Sequence, residues 1–292
     1  MSQITRSQHA RFALIALLIG GAAIGGSPIF VRLSEVGPLA TGFWRVSLAL
    51  LPFLLISRVT KEADERPSGL RDYVVLLLPG AFLAIDLVAW HLSLHMTSVA
   101  NATLLANLAP VFVTLGSWLV FRTRITPIFL TGLALALAGI VVLKGGPAAI
   151  GGGQLAGDAT AIVAAIFYAC YMLAIGHVRS RFSTLRIMVW TTFSAAICML
   201  PIALFFEGSL MPVTLFGWAM VVGLAFISHV SGQGLVTYAL AYLPTAFSSL
   251  TLLLQPVVAA ILAWLVLSEP VGMMQAVGGL IVLAGILVAR RG

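Results

Sequence analysis

Two ionisable side chains, Arg45 and Asp86, stand inside long apolar stretches of this sequence. A charged group surrounded by lipid is costly, so it normally pairs with another charge or faces a water-filled cavity. Helices drawn through the two stretches run in opposite directions and place both groups at a comparable depth, which predicts an ion pair. Three interpretations stay open: a structural lock between helices, a carboxylate that binds a cationic amine or a coupling proton, or simple exposure to a cavity.

A polar stripe follows the stretch that contains Pro110. Its members are spaced alternately four and three residues apart, which places them on one helical face: Thr103, Asn107, Pro110, Thr114 and Ser117. Such a stripe is typical either of a helix–helix seam built from small polar residues or of the wall of a solute path. Pro110 and Pro256 each remove a backbone donor and predict helix kinks, and Gln255 stands next to the second of them.

Aromatic and amide side chains extend the candidate site. Tyr168 and Tyr171 are one helical turn apart, and Trp90 lies in the same apolar stretch as the carboxylate. Aromatic faces can hold a cation or a planar side chain, although packing is the alternative. His229 and Gln233 also share a helical face; His229 reads either as a satisfied interior histidine or as a group whose charge changes near neutral pH.

His91 and His95 have the i, i+4 spacing of a helical metal pair. A zinc site needs at least one further good ligand, and none stands at ligand spacing. Asp86 with these histidines is the only candidate catalytic group, and no nucleophile motif or phosphate-binding loop accompanies it. We therefore expect no metal, no cofactor and no enzyme activity.

The elements that must hold these residues are membrane helices. The chain has 292 residues, of which 61% are hydrophobic and 9% charged, against about 25% charged residues in soluble domains. Lipid-facing backbone can be satisfied only by helices or closed barrels, and the apolar runs are too long for barrel strands. We expect an all-α integral membrane protein with ten helices: 12–33, 38–57, 74–94, 98–121, 126–143, 158–177, 186–206, 213–238, 245–267 and 271–289.

The basic residues give the expected orientation. If the N-terminus is cytoplasmic and the chain crosses ten times, only Arg32 and Lys144 fall outside, while Arg45 lies within a helix. The cytoplasmic set is Arg6, Arg11, Arg58, Lys61, Arg66, Arg71, Arg122, Arg124, Arg179, Arg181, Arg186, Arg290 and Arg291. This asymmetry is the positive-inside pattern, and it explains the net charge of +7 without nucleic acid.

An internal repeat organises the chain. Residues 100–146 align without gaps on residues 246–292, at a constant offset of 146, and share the order Pro, Trp, Gly, Ala-Gly-Ile. The expected division is a first five-helix repeat, 1–146, a Gly/Pro linker, 147–157, and a second five-helix repeat, 158–292. Because each repeat has an odd number of crossings, the two enter the membrane from opposite sides. Inverted repeats of this kind are typical of secondary transporters.

The sequence resembles the EamA-type members of the drug/metabolite transporter superfamily. The resemblance rests on Gly42-Phe43-Trp44-Arg45, on Ala100-Asn101-Ala102 through Pro110, on Gly132 through Gly139, on Ala246 through Pro256, on Leu267-Ser268-Glu269 and on Gly278 through Gly285. The family's usual acidic residue after helix four is replaced by Arg122-Thr123-Arg124, whereas Glu269 keeps it in the second half. The resemblance implies ten helices, an inverted repeat and movement of small metabolites, often export. It is strongest to amino acid exporters, including aromatic ones of the YddG type.

Together these features predict a multi-pass inner-membrane exporter with both termini cytoplasmic. Lipid and a small-molecule substrate are the expected partners, nucleic acid is not, and a monomer is the working assumption for an open oligomeric state. The expected substrate-binding residues are Asp86, Trp90, His91, Thr103, Asn107, Tyr168, Tyr171, His229, Gln233 and Gln255. Alternatives are a nucleobase, nucleotide-sugar or drug as substrate, an intramembrane enzyme, and a non-transporting membrane subunit.

Overall fold

The computed structural model describes residues 3–60, 66–97, 99–145, 155–268 and 271–292, and over these ranges the regular structure is entirely helical. Glu269, most of the predicted 147–157 linker and the Asn101 side chain lie outside the described part. Ten helices follow one another, four of them interrupted: α1 (Gln3–Gly25 and Ser27–Leu33), α2 (Pro38–Val59), α3 (Leu70–Met96), α4 (Val99–Ala106 and Ala109–Phe121), α5 (Pro127–Leu143), α6 (Leu155–Val178), α7 (Thr184–Phe206), α8 (Leu215–Gly223, Leu224–Gln233 and Gly234–Ala239), α9 (Thr245–Thr251 and Leu254–Leu267) and α10 (Met273–Ala289).

Eight of these helices are long and apolar enough to cross a membrane. The other two, α5 and α10, are apolar but have only 17 residues each. A helix of that length spans about 25 Å, somewhat less than the ~30 Å of a bilayer core. The chain is therefore a multi-pass membrane protein, and its two shorter helices occupy equivalent places in the repeat.

The repeat seen in the sequence reappears in the backbone. The bounds of α5 and α10 differ by 146 residues at both ends. The helices before them, α4 and α9, end in left-handed caps at Arg122 (φ 53°) and Ser268 (φ 57°), again 146 residues apart. Positive φ is uncommon in residues other than glycine, so its recurrence at equivalent positions shows that the two copies fold alike.

Helices α5 and α10 pack against each other through glycines. A Cβ atom added at any of four glycines would overlap the backbone of the opposite helix; the pairs are Gly132 with Ala289, Gly139 with Val282, Gly278 with Leu143 and Gly285 with Ala136. Each pair has an equivalent at the 146-residue offset, and the pairs rise along one helix as they fall along the other. The two equivalent helices therefore run antiparallel where they meet, at the close approach that small residues permit.

This packing makes Gly278 a sensitive position. Gly278→Leu should lower the midpoint of thermal unfolding in detergent, because the added side chain meets the Leu143 backbone; overpacking typically costs about 1–3 kcal/mol. Gly69→Leu is the matched control, since a Cβ at Gly69 meets nothing within 4 Å. Equal unfolding midpoints for the two variants would contradict the glycine contact.

In the interior, one helix of each sequence half packs against helices of the other half. Helix α1 packs on α8 and α9, whereas α6 packs on α3 and α4. One buried cluster joins both groups, with Leu17 and Val236 from the first and Val113 and Ile175 from the second. Each of these two groups of packed helices therefore contains helices from both halves of the sequence.

Two glutamates fasten the halves together at one end of the bundle. Glu207, after α7, accepts hydrogen bonds from the backbone N–H groups of Leu39 (2.6 Å) and Ala40 (2.8 Å) in the first turn of α2. Glu35, before α2, accepts from the N–H groups of Val213 and Thr214, both at 2.9 Å, and from the Thr214 hydroxyl. Because the first N–H groups of a helix lack partners within it, Glu207 caps α2, whereas Glu35 holds Thr214, the residue whose own side chain caps α8.

The hydrogen bonds of Glu35 should make the stability of the protein depend on pH. Its bonds to the Thr214 hydroxyl and to the backbone lower the Glu35 pKa below the usual carboxyl value. A lowered folded-state pKa contributes stability above the unfolded pKa, and that contribution is lost as pH falls through the folded pKa. Glu35→Gln should therefore lower the unfolding midpoint at neutral pH, with the difference from the parent vanishing in acid. A difference that widens in acid would contradict this assignment.

Candidate solute-binding site

Arg45, on α2, lies at the centre of a group of polar side chains. It interacts electrostatically with Tyr171, Tyr168 and Asp86. It also interacts electrostatically with His229 on α8. Four helices, α2, α3, α6 and α8, therefore direct ionisable groups to one interior region. Among the described residues no ion pair within 4 Å joins Arg45 to Asp86, so the two groups interact over a longer distance than in a direct pair.

Several buried polar atoms in this region have no hydrogen-bond partner among the described residues. They include Nε of Arg45, Nδ1 of His229 and Nε2 of Gln255. An unsatisfied buried polar group costs about 1–3 kcal/mol, so such groups call for an explanation wherever they occur. The atoms on Arg45 and Gln255 are donors, whereas the half-buried Asp86 supplies acceptors. The region can thus receive a ligand that carries both an acceptor group and a donor group.

Tyrosine and glutamine side chains form one side of the region. The Tyr171 hydroxyl donates to Oε1 of Gln233 at 3.4 Å, and both residues are almost fully buried. The Tyr168 hydroxyl lies beside the Gln255 side chain. The two tyrosine rings have centroids 5.8 Å apart and are tilted by 36°. Because Tyr168 is only half-buried and interacts electrostatically with Arg45, its ring offers an aromatic surface close to the charged groups.

His229 and Gln233 are presented by a π-helical segment of α8, Leu224–Gln233. Such segments are rare and often occur at functional sites, because the wider turn re-aims side chains. Nε2 of His229 lies 3.0 Å from the Thr192 hydroxyl of α7, and its ring meets the edge of Phe53. Sequence reasoning missed Thr192, since a threonine in an apolar run carries no signal of its own. The π-helical segment likewise has no sequence signature here.

The polar stripe of α4 is bonded mainly within its own helix. Nδ2 of Asn107 donates to the carbonyl of Thr103 at 2.7 Å, and the Thr114 hydroxyl donates to the carbonyl of Pro110 at 2.6 Å. Ser117 is buried. These bonds satisfy carbonyls around the break between the two segments of α4. Such bonds within one helix are what a purely structural role of the stripe would produce. Within the described residues, the side chain of Asn107 has no hydrogen bond to the Arg45 group.

The two predicted kinks lie at equivalent breaks. Pro110 stands in the first turn of the second segment of α4, and Pro256 stands in the first turn of the second segment of α9. A proline is tolerated there because its missing N–H would have no helical partner. The break in α9 also brings Gln255 to the start of its second segment, next to Tyr168.

His91 lines a separate cavity, although the charge of Arg45 also acts on it; its ring centroid lies 4.9 Å from that of Trp90. This cavity has a volume of about 450 Å³ and is also lined by His95, Glu35 and Glu207. The predicted residue His91 thus lies between the Arg45 group and this second cavity. The described residues contain no group of three His, Cys, Asp or Glu side chains that could hold a metal ion.

A larger cavity of about 730 Å³ lies at the opposite end of the bundle. Helix α1 runs from this cavity, which Arg11 lines, to the smaller one, which Glu35 lines. Arg124, Arg290 and His177 also line the larger cavity. One end of the protein is therefore basic and the other carries carboxylates and histidines, with the Arg45 group between them.

A multi-helix membrane bundle whose interior holds charged and hydrogen-bonding groups is the arrangement expected of a solute transporter. The chain belongs to the EamA-like transporter family, whose pattern matches residues 11–144 and again residues 155–291. That family, together with relatives named as transporters, indicates a transporter rather than an enzyme.

Several known proteins are similar over most of the chain. An uncharacterized transporter of Archaeoglobus fulgidus is 30% identical, with 89% of this chain and 91% of that protein covered. A probable terminal-alkyne amino-acid exporter of Streptantibioticus cattleyicolor is 28% identical over 78% and 76% of the two chains. The pseudopaline exporter CntI of Pseudomonas aeruginosa is 26% identical over 85% and 84%. A solved crystal structure superposes with a TM-score of 0.78 at 20% identity over 97% of each chain, which shows a shared fold.

Proposed function

We propose that this protein is a secondary transporter that exports amino acids, especially those with bulky or aromatic side chains, across the inner membrane by alternating access. The observation that carries the proposal is that the interior contains both hydrogen-bond donors without a partner among the described residues and a half-buried carboxyl group. Nε of Arg45 and Nε2 of Gln255 suit a substrate carboxylate, and the half-buried Asp86, which interacts electrostatically with Arg45, suits its ammonium group. A zwitterion presents this combination of groups at short range.

The surroundings of these groups support a large apolar side chain on the substrate. Tyr168 interacts electrostatically with Asp86 and Arg45, Trp90 stands one helical turn beyond Asp86 on α3, both rings are half-buried, and aromatic faces receive planar side chains favourably. The relatives named as exporters of an amino acid and of pseudopaline support small-molecule export as the general activity.

The proposed topology has ten crossings arranged as two inverted five-helix repeats, residues 1–146 and 158–292, joined by 147–157, with both termini in the cytoplasm. The antiparallel contact of the equivalent helices α5 and α10 supports the inversion. The basic cavity lined by Arg11, Arg124 and Arg290 supports a cytoplasmic location for that end.

Transport by purified protein in proteoliposomes tests the proposal. Vesicles loaded with unlabelled compound should accumulate the same labelled compound by counterflow, and phenylalanine or tryptophan should exchange faster than alanine. The panel also contains a nucleobase, a nucleotide-sugar and a cationic drug, with protein-free vesicles as control. Exchange of one of those compounds but not of amino acids would refute the substrate class, and exchange of none would refute transport.

A further inference from the structure

The smaller cavity, at the end of the bundle opposite the basic one, has the features of a binding site of its own. It has a volume of about 450 Å³ and lies between the end of α3, the loop before α2 and the end of α7. Four side chains with ionisable groups line it: His91, His95, Glu35 and Glu207. None of them belongs to the hydrogen-bonded tyrosine and glutamine side of the interior site.

His91 determines which kind of atom this cavity can bind. Its Nδ1 lies 2.7 Å from the carbonyl oxygen of Leu87. A carbonyl oxygen only accepts hydrogen bonds, so Nδ1 must carry the hydrogen. In a neutral imidazole the other nitrogen, Nε2, then presents a lone pair. This atom is buried, has no partner among the described residues, and belongs to a side chain that is only 5% exposed. The complementary ligand atom is therefore a hydrogen-bond donor.

The charges around the cavity select the sign of that donor. Glu35 remains ionised at neutral pH, because its hydrogen bonds to the Thr214 hydroxyl and to the backbone lower its pKa. Glu207 places both carboxylate oxygens on the first turn of α2. Two carboxylates in one cavity repel anions and attract cations. Because the described residues contain no metal-binding group of three ligands, a metal ion is not the cation that this geometry favours.

We propose that the smaller cavity is a binding site for a primary or secondary ammonium group. This group donates an N–H to Nε2 of His91, while the carboxylates of Glu35 and Glu207 balance its charge. The assignment does not depend on which solute the protein transports. If the solute is an amino acid, its ammonium group has a second binding position beyond Asp86, at the end of the path through which it leaves.

Thermal unfolding of the purified protein in detergent tests this site with three probes of similar size. n-Butylammonium has N–H donors and a positive charge, tetramethylammonium has the charge without donors, and butyrate has the opposite charge. We expect n-butylammonium to raise the unfolding midpoint with an apparent affinity at least threefold higher than that of tetramethylammonium, and butyrate to have no effect. His91→Phe should remove the preference for n-butylammonium. His177→Phe, in the basic cavity at the other end, is the matched control and should keep it.

Three outcomes would overturn the proposal. Equal effects of the two cations would show that charge alone acts, with no role for the lone pair on His91. A preference that survives in His91→Phe but disappears in Asp86→Asn would place the ammonium group in the interior site. If His91→Phe does not fold, the ¹⁵N resonance of His91 Nε2 in the parent protein replaces it. That resonance should shift with n-butylammonium and not with tetramethylammonium, and an unchanged resonance would overturn the site.

Discussion

Asp86→Asn should reduce exchange of free amino acids by about 30-fold or more, corresponding to a loss of ~2 kcal/mol or greater, which is the lower end of the cost of removing one member of a desolvated charge pair. The amide keeps the size of the carboxylate but removes the charge that opposes the substrate ammonium group. The loss should be selective, because an N-acetylated amino acid has no ammonium group. Its transport, weak in the parent, should change little in the variant. Counterflow in proteoliposomes with both labelled compounds measures the two rates.

The comparison between the two substrates separates recognition from general damage. Asp72→Asn provides a second carboxylate-to-amide change, at a residue that forms an ion pair with Arg181 (3.0 Å) and bonds the Ser68 backbone, remote from the interior site. It should affect free and acetylated substrates alike. Equal losses for both substrates in Asp86→Asn would mean that the carboxylate holds the fold or carries a coupling proton, and does not contact the substrate amine.

The repeat was the part of the architecture most open to prediction from the sequence. Residues 100–146 and 246–292 have similar local sequences. Helices α5 and α10 therefore begin and end at equivalent residues, and α4 and α9 end in the same left-handed caps. The helix runs were predictable for a related reason, since a lipid environment leaves the backbone few alternatives to a continuous helix. These features depend on local sequence and on the solvent, both of which can be read directly.

Features that depend on tertiary contacts were not predictable in the same way. Glu35 and Glu207 stand in short loops without any pattern, and their hydrogen bonds to the starts of α8 and α2 form only when these helices of opposite halves meet. Depth in the membrane places Arg45 and Asp86 in one region but cannot give their separation; they interact electrostatically without an ion pair within 4 Å among the described residues. The predicted binding set also joined His91 to Asp86, although a helix turns by about 100° per residue and His91 lines another cavity.

The α4 stripe shows why spacing alone does not identify a solute path. Thr103, Asn107 and Thr114 share a face, and their spacing fits a path and a seam equally well. The deciding information is the hydrogen-bond partners, which are carbonyls of the same helix for Asn107 and Thr114. By contrast, Arg45, His229 and Gln255 retain buried atoms without partners. Unmet hydrogen-bonding capacity, which no sequence pattern encodes, is what distinguishes the interior site from ordinary polar packing.

Arg45→Met should produce the complementary selectivity to Asp86→Asn. Methionine keeps much of the apolar length of the side chain but removes the donors that suit a substrate carboxylate, so exchange of free amino acids should fall by about 30-fold or more. The corresponding decarboxylated amine, such as phenethylamine for phenylalanine, should be spared, because it has no carboxylate to lose. Arg45→Lys should retain part of the exchange, since it keeps the charge without the planar fork of donors. The same counterflow measurement, with the amine added to the panel, gives the result.

The double variant Arg45→Met/Asp86→Asn decides between substrate recognition and mutual neutralisation. If the two residues bind opposite ends of a zwitterion, the double variant should be at least as impaired as either single variant for free amino acids, because neither end is then recognised. If they only balance each other's charge across the interior, each single variant leaves one charge uncompensated, and the double variant should recover stability and exchange together. The unfolding midpoint is therefore measured together with the exchange rate. Recovery of both quantities in the double variant would refute the zwitterion site. Recovery of stability without exchange would support substrate recognition as the role of Arg45 and Asp86.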